Sequence, residues 1–366
     1  MKFVCDSIDL SAASLTVVKA CATRTLTPVL ECIRILAKND EVTLSAYDGE
    51  LSIEKTIKAD VLEEGETCVN GRLFTDFIGK IFHTQITLGT EEKGLEIRYD
   101  DSRSFLQTLP AEDFPLLSGG ENVGCFEVEE GKFKNLVARS VFCCATDDSR
   151  PILKGCLMET EDKTLKVSSL DGYRMATTQC EISGGDDGKK IICPARTLSE
   201  IARMLTGGDR LLKIEFSANQ LRVEVDDTKL ISRLYVGEFV KKENIFPPAF
   251  STEVTVKREE LIESAERASV LIRGEKNNLI IMDVKSGAIY VTANSEIGNV
   301  AEKVSATLEG KEIRIAMNGK YLLDALKALD EEEIILYMNT PIAPFVLKNR
   351  QNQYGAYLIL PVRTTS

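Results

Sequence analysis

The sequence predicts an α+β fold in which one layered unit, two helices on antiparallel sheet, occurs three times. Three observations predict it. Short patterns return at a nearly constant spacing, helix-like and strand-like periods follow one another in the same order each time, and two breaker-rich linkers divide the 366 residues into thirds.

The spacing is read from paired motifs. "YDGEL" (47–51) aligns with "LDGYR" (170–174), placing Asp48 and Asp171 123 positions apart. "TCVNGRLFTDFIGKI" (67–81), "IICPARTLSEIARML" (191–205) and "IRIAMNGKYLLDALK" (313–327) align so that Arg72, Arg196 and Lys320 are separated by 124 and 124. "EIRYDDSRSFLQTL" (96–109) aligns with "RVEVDDTKLISRLY" (222–235), with Asp100 and Asp226 126 apart. The linkers "LPAEDFPLLSGGENVG" (109–124) and "GEFVKKENIFPPAF" (237–250) both contain Phe-Pro, and they suggest domains over 1–120, 121–247 and 248–366.

Each unit justifies its elements in one order. A short strand leads into an amphipathic helix within 11–24, 130–144 or 257–273. Alternating strands follow, such as "EVTLSAYDGELSIEKTI" and "TLKVSSLDGYRMATT", whose period-two apolar positions fit one buried face. A second helix comes next, within 71–81, 195–205 or 319–329, and a last set of strands closes the unit. The Asp-Gly of both "YDGEL" and "LDGYR" marks a strand-connecting turn.

Charge is unevenly distributed. The formal net charge is −12, yet the six helical segments together carry +7, which leaves −19 on strands and loops. The repeated cation at 72, 196 and 320 sits at a helix N-terminus, the end that favours anions, so dipole stabilisation does not account for it. Helices that face an anion while an acidic sheet faces solvent account for both facts. No helix-turn-helix, aromatic RNP stretch or zinc finger is present, so backbone contact without base reading is the expected mode.

Other chemistry is thinly represented. The ten cysteines form no C-x-x-C pair, and most lie in apolar contexts such as "LKGCLM", which reads as buried free thiols. The single histidine, His83, has no nucleophile motif beside it. There is no P-loop. A metal-dependent hydrolase using Asp100/Asp101 or Asp147/Asp148 is a rival reading, but adjacent carboxylates on a strand point to opposite faces. A scaffold with no DNA role is a third, and it predicts no effect of Arg196 or Lys320 substitution. The start "MKFVCDSIDL" has no apolar h-region, and no apolar run approaches the roughly 20 residues of a spanning helix, so a cytoplasmic protein with no membrane partner is expected.

Taken in order, "MKF", "TLPAEDFP" (108–115), "SRPILKG" (149–155), "LDGYRMA" (170–176), "MNGKYLLDAL" (317–326) and "AYLILPVR" (356–363) resemble the bacterial DNA polymerase III beta subunit, the sliding-clamp family, along the whole chain. The resemblance implies a DNA clamp fold and a head-to-tail homodimer that closes a ring around double-stranded DNA without sequence preference. It implies a non-catalytic processivity factor that needs no cofactor and whose ATP-driven loading comes from a partner. Under it, Arg24, Arg72, Lys80, Arg150, Arg196 and Arg203 would face DNA, and Phe105, Leu106, Val270 and Leu271 would form the dimer contact.

The same resemblance implies a pocket between the second and third domains. It would take a short linear motif, with a Gln and apolar or aromatic anchors, from the replicative polymerase, the clamp loader, other polymerases and repair proteins. Its lining would come from Leu153, Leu170, Gly172, Tyr173, Arg174 and Met175, from Asn244 and Ile245, from Asn318, Tyr321 and Ile342, and from Leu360, Pro361, Val362 and Arg363. Arg174 would fix backbone or peptide carbonyls beside Leu360 and Pro361. Val240 and Asn244 depart from the Pro and Arg that some members carry, and Val240 is left out of the set.

Overall fold

The computed structural model describes every residue except 83, 93, 118–119, 242–244, 275–277, 350–354 and 365–366. His83 and Asn244 therefore lie outside the described residues. The chain divides into two compact units: Met1–Glu127 with Arg203–Thr206 and Leu211–Leu234, and Val128–Ala202 with Gly207–Arg210 and Tyr235–Ser366.

Two antiparallel sheets and two helices build the first unit. One sheet runs Asp60–Glu63, Lys2–Asp6, Gln85–Glu91, Gly94–Tyr99, Ser102–Leu106. The other runs Thr108–Leu109, Gly65–Asn70, Cys32–Lys38, Glu41–Tyr47, Leu51–Lys58, Thr228–Arg233, Gln220–Val225, Leu211–Phe216 and continues into Gly124–Glu129. Helix α1 (Ser7–Val17) starts where Asp6 accepts a hydrogen bond from the Ile8 amide at 2.7 Å. Helix α2 (Gly71–Ile78) starts likewise, with Asn70 accepting from the Leu73 amide at 3.0 Å. Such caps satisfy donors that the first turn leaves unpaired. The helices pack on each other, and α1 also packs on the strand Leu51–Lys58. Phe3, Leu10, Ile33, Ile35, Phe74 and Ile78 are fully buried.

The second unit carries one ribbon of twelve antiparallel strands. Its order is Lys190–Pro194, Gly155–Glu161, Thr164–Leu170, Arg174–Glu181, Gly355–Ile359, Phe345–Lys348, Glu333–Met338, Thr252–Lys257, Gly298–Gly310, Ala288–Ser295, Leu279–Lys285, Ile313–Asn318. Helix α3 (Glu130–Ala138) lies on Arg174–Glu181. Helices α5 (Arg258–Leu271) and α6 (Gly319–Lys327) pack on each other, and α5 also covers Ala288–Ser295 and Gly298–Gly310. Helix α4 (Ala195–Met204) runs through the sequence point at which the two units divide.

All six expected helices form, three of them shorter than the periodicity suggests. The segment 11–24 is helical only to Val17 and then tightens into a 3₁₀ turn over Val18–Ala20, so Arg24 sits in a following loop. The segment 130–144 breaks at Ser140, and 71–81 ends at Ile78, two residues before Lys80. Apolar residues beyond these ends keep the helical period but serve the packing of turns. Every cysteine is a free thiol and eight are buried, with Cys125 and Cys180 half-buried. Burial pushes the Cys5 and Cys21 thiols up to about 12, which disfavours the nucleophilic thiolate. No helix among the described residues is long and apolar enough to cross a membrane.

Candidate functional site

The site grows from a turn. Asp171 Oδ1 accepts from the amides of Tyr173 (2.9 Å) and Arg174 (3.0 Å), and Gly172 takes φ +93° between them. That backbone region excludes most side chains. The turn sets Tyr173 outward, 63% exposed, and Arg174 inward, 8% exposed.

Arg174 organises what surrounds it. Its Nε donates to Asp171 Oδ2 at 3.0 Å, its Nη1 to Asp324 Oδ2 of α6 at 2.6 Å, and its Nη2 to the Phe142 carbonyl at 2.5 Å. The guanidinium carbon lies 4.3 Å from the Tyr321 ring centroid and 5.4 Å from that of Phe142. Burial works against the charge, and the Asp324 and Asp171 carboxylates more than offset it, holding the pKa above its ordinary value. Of the two expected roles, fixing backbone or peptide carbonyls, the backbone one is seen, at the Phe142 carbonyl. One donor on each guanidinium nitrogen is engaged inside the chain, and the guanidinium also holds the rings in position. Tyr321 stacks on Tyr173 with centroids 6.4 Å apart and planes 28° from parallel.

Beside the rings lies an apolar floor. Leu153, Leu170 and Met175 are buried in one cluster with Val346, Ala356 and Leu358, against which Ile245 packs. The Leu360 amide donates to the Tyr173 carbonyl at 2.8 Å, and the Val362 amide donates to the Ala316 carbonyl at 2.8 Å, so the C-terminal segment is stitched along this edge. Ile342 is exposed at 66%, Leu360 at 37%, Pro361 and Val362 are half-buried, and Arg363 is exposed. Asn318 is chiefly the N-cap of α6, accepting from the amides of Lys320 (2.9 Å) and Tyr321 (3.4 Å), and so it fixes the ring-bearing turn. Phe142 and Asp324, which the sequence reading missed, complete the support. The strip of rings and aliphatic side chains has the residue make-up of a peptide groove.

Arg24, Arg72, Lys80, Arg150, Arg196 and Arg203 are all exposed. Arg72 and Arg196 stand in the first turns of α2 and α4, and Arg203 stands in the last turn of α4. Arg150 and Lys80 lie just outside helical turns. The carboxylates of the rival reading have local duties. Asp147 accepts from the Ser149 amide at 2.9 Å, Asp148 pairs with Lys154 at 2.7 Å, and Asp100 accepts from Thr84 at 3.1 Å. Among the described residues no group of three or more His, Cys, Asp or Glu could hold a metal.

Among the sheet edges of the described residues, two lie beside the expected contact residues. Ser102–Leu106 is the last strand of its sheet, with Phe105 40% exposed under the Arg103 guanidinium at 4.7 Å. Leu106, expected on that surface, is buried, because period two turns it into its own sheet's core. The second edge escaped the sequence reading. The strand Gly298–Gly310 pairs with Ala288–Ser295 through residues 298–305, and Thr252–Val256 takes only residues 306–310. The other side of 298–305 thus carries no strand among the described residues. Val270 (60% exposed), Leu271 (half-buried) and Ile297 (79% exposed) cluster at its start, where a Cβ on Gly298 would lie 3.9 Å from Leu271 Cδ2. The alternating run "GNVAEKVSATLEG", too long for its neighbours, was the available signal.

Comparison with known proteins decides the family. The sequence profiles of the DNA polymerase III beta subunit match in order: the N-terminal domain over 1–118, the central domain over 127–241 and the C-terminal domain over 243–363. The chain belongs to the DNA polymerase III beta subunit family. The beta sliding clamp of Staphylococcus epidermidis is 30% identical over 357 residues, covering 94% of this chain and 95% of that protein, and that of Staphylococcus aureus gives the same figures. Among solved structures, the DNA polymerase sliding clamp of Bacillus subtilis superposes with a TM-score of 0.94 at 28% identity, covering 100% of this chain and 99% of that one. A beta subunit from Eubacterium rectale superposes at 0.93 and 31% identity, and the griselimycin-bound clamp of Pseudomonas aeruginosa at 0.91 and 26%, each with both chains fully covered. The three-domain clamp fold expected from the resemblance is the fold observed, and the beta subunit is a processivity factor of DNA polymerase.

Proposed function

We propose that two copies of this beta subunit close head to tail into a ring around duplex DNA. Three domains over 1–120, 121–247 and 248–366 supply similar arcs, and a heterologous contact that closes makes a ring. The observation that carries the reading is the pair of open sheet edges, each flanked by exposed apolar side chains. Ser102–Leu106 with Phe105 on one copy suits residues 298–305 with Val270 and Leu271 on the other. Arg24, Arg72, Lys80, Arg150, Arg196 and Arg203 then face the phosphate backbone. An acidic remainder discourages DNA from binding elsewhere.

The ring is a non-catalytic tether working in the cytoplasm. It holds the replicative polymerase near its template and raises its effective concentration there. Partners, among them the clamp loader and repair proteins, dock through the groove of Tyr173, Tyr321, Leu170, Met175 and Leu360. The test is retention on DNA after loading. The protein runs as a dimer by native mass, stays on closed circular duplex and slides off the same duplex once it is linearised. Equal retention on both forms overturns the ring.

A further inference from the structure

One face of the twelve-stranded sheet is laid out in rows. Cross-strand register places Leu170, Met175, Leu358 and Val346 side by side, all aliphatic or thioether. Two residues along each strand, the next row is Ser168, Thr177, Ala356 and Lys348, and beyond it Lys166 faces Gln179. Successive rows on one face are about 7 Å apart, two residues of strand rise. The apolar floor of the groove thus gives way, within one row, to hydroxyls and cations.

A cavity of about 330 Å³ opens over these rows, lined by Lys166, Ser168, Thr177, Lys348, Phe246 and Ala356 among others. Ala356 and Phe246 also belong to the apolar cluster of the groove, so pocket and groove share a wall. Its cations differ. Lys166 is paired with Glu161, and the lining carboxylate Glu159 is taken by Lys190 at 2.7 Å. The Lys348 ammonium instead lies 5.9 and 5.6 Å from the ring centroids of Phe250 and Tyr337, and among the described residues no carboxylate pairs with it. A half-buried ammonium held by two rings beside open space is a receptor for an anion.

We propose that this pocket is a second docking point for partner peptides. It binds an acidic side chain that lies a few residues from the apolar anchors seated on the Leu170–Met175–Leu358 row. The assignment rests on the groove reading above. An extended peptide covers one row spacing in two residues, so an acid two to four residues from an anchor reaches the Lys348 row without distortion. The groove selects for apolar anchors, and the pocket adds preference among peptides that already carry them.

The experiment uses the full-length chain and fluorescence-labelled synthetic peptides carrying one Gln and two apolar anchors. Two consecutive glutamates are placed before or after the anchors, and matched peptides carry glutamines instead. For one of the two placements the glutamate peptide binds the wild-type protein about three- to tenfold more tightly than its match, the range of a partly exposed charge-assisted contact. Lys348→Gln removes that preference and leaves the glutamine peptides bound as before. Two outcomes overturn the assignment while leaving the groove standing. Either every peptide binds with no preference for acid, or Lys348→Gln weakens both sets equally, which makes Lys348 a support for the Phe250–Tyr337 pair. Failure of all peptides to bind overturns the groove reading and this assignment with it.

Discussion

The turn at Asp48 and the turn at Asp171 are built alike and used differently. Asp48 Oδ1 accepts from the amides of Glu50 (3.0 Å) and Leu51 (2.9 Å), as Asp171 does from Tyr173 and Arg174. In both, the Asp amide donates to the carbonyl three residues on at 3.3 Å, and the Gly has positive φ, +103° at Gly49 and +93° at Gly172. The difference is the residue that closes the turn. Leu51 is 1% exposed and simply fills the core, whereas Arg174, also buried, brings a charge that three acceptors must satisfy. A repeated frame can thus acquire a site by one substitution at a buried position, provided that carboxylates are supplied nearby.

The comparison can be broken most forcefully at Arg174. Arg174→Leu, which copies the first turn's solution, leaves Asp171 and Asp324 without their cation. It is expected to cost about 3 kcal/mol in chemical denaturation and to weaken groove peptides more than tenfold as Tyr321 loses its support. Arg174→Leu with Asp324→Leu recovers most of the stability but not the binding. Recovery of both would mean that the guanidinium has no part in placing the rings.

A milder pair of changes sharpens the likeness. A Cβ at Gly49 or Gly172 meets nothing within 4 Å, so Gly→Ala at either site costs backbone strain alone. Each is expected to lose about 1–2 kcal/mol, equally within error, in parallel unfolding titrations. A clearly larger loss at Gly172 would show that the two turns are not the same device.

The smallest expected effect concerns an ion pair away from both turns. Arg267 donates to both oxygens of Glu302 at 2.6 and 2.7 Å, and these hydrogen bonds hold the Glu302 carboxyl below its usual range. A depressed carboxyl contributes stability above its unfolded pKa of about 4.3, and loses it as pH falls through the folded value. Glu302→Gln should therefore flatten the stability profile below about pH 4.3 and leave the higher-pH limb lower but parallel. An unchanged acid limb would remove the pair from the account of that edge.

Much of this was legible in the sequence because repetition exposes a frame. The Asp-Gly turns, the "DD" hairpins at Asp100 and Asp226 with φ of 47° and 50°, and the cations of α2, α4 and α6 were found by spacing alone. What spacing conceals is partner choice. Nothing in "LDGYR" says that its Arg will turn inward to Asp324, 150 residues away, because that contact is tertiary. Asn70 and Asn318 were legible as repeat members but not as caps, since their role depends on where the preceding strand stops. Leu106 was misplaced for a related reason, since period two fixes which residues share a face without saying which face meets the core.

The pairing of Leu51–Lys58 with Thr228–Arg233 carries a consequence for synthesis. Ile53 faces Leu230, so the first of these strands leaves the ribosome 177 residues before its mate. At ribosomal speeds of about 5–20 residues per second, that interval is about 9–35 s. Throughout it, the nascent chain displays a strand paired with Glu41–Tyr47 on one side and open on the other, whose first three residues are destined for the interior. Glu54, Lys55 and Lys58 lie along that waiting strand, and charges on an open edge discourage intrusion by a neighbouring chain. When Thr228 arrives, Lys55 Nζ donates to its hydroxyl at 3.2 Å, so a guard of the newborn chain becomes a fastener of the finished one.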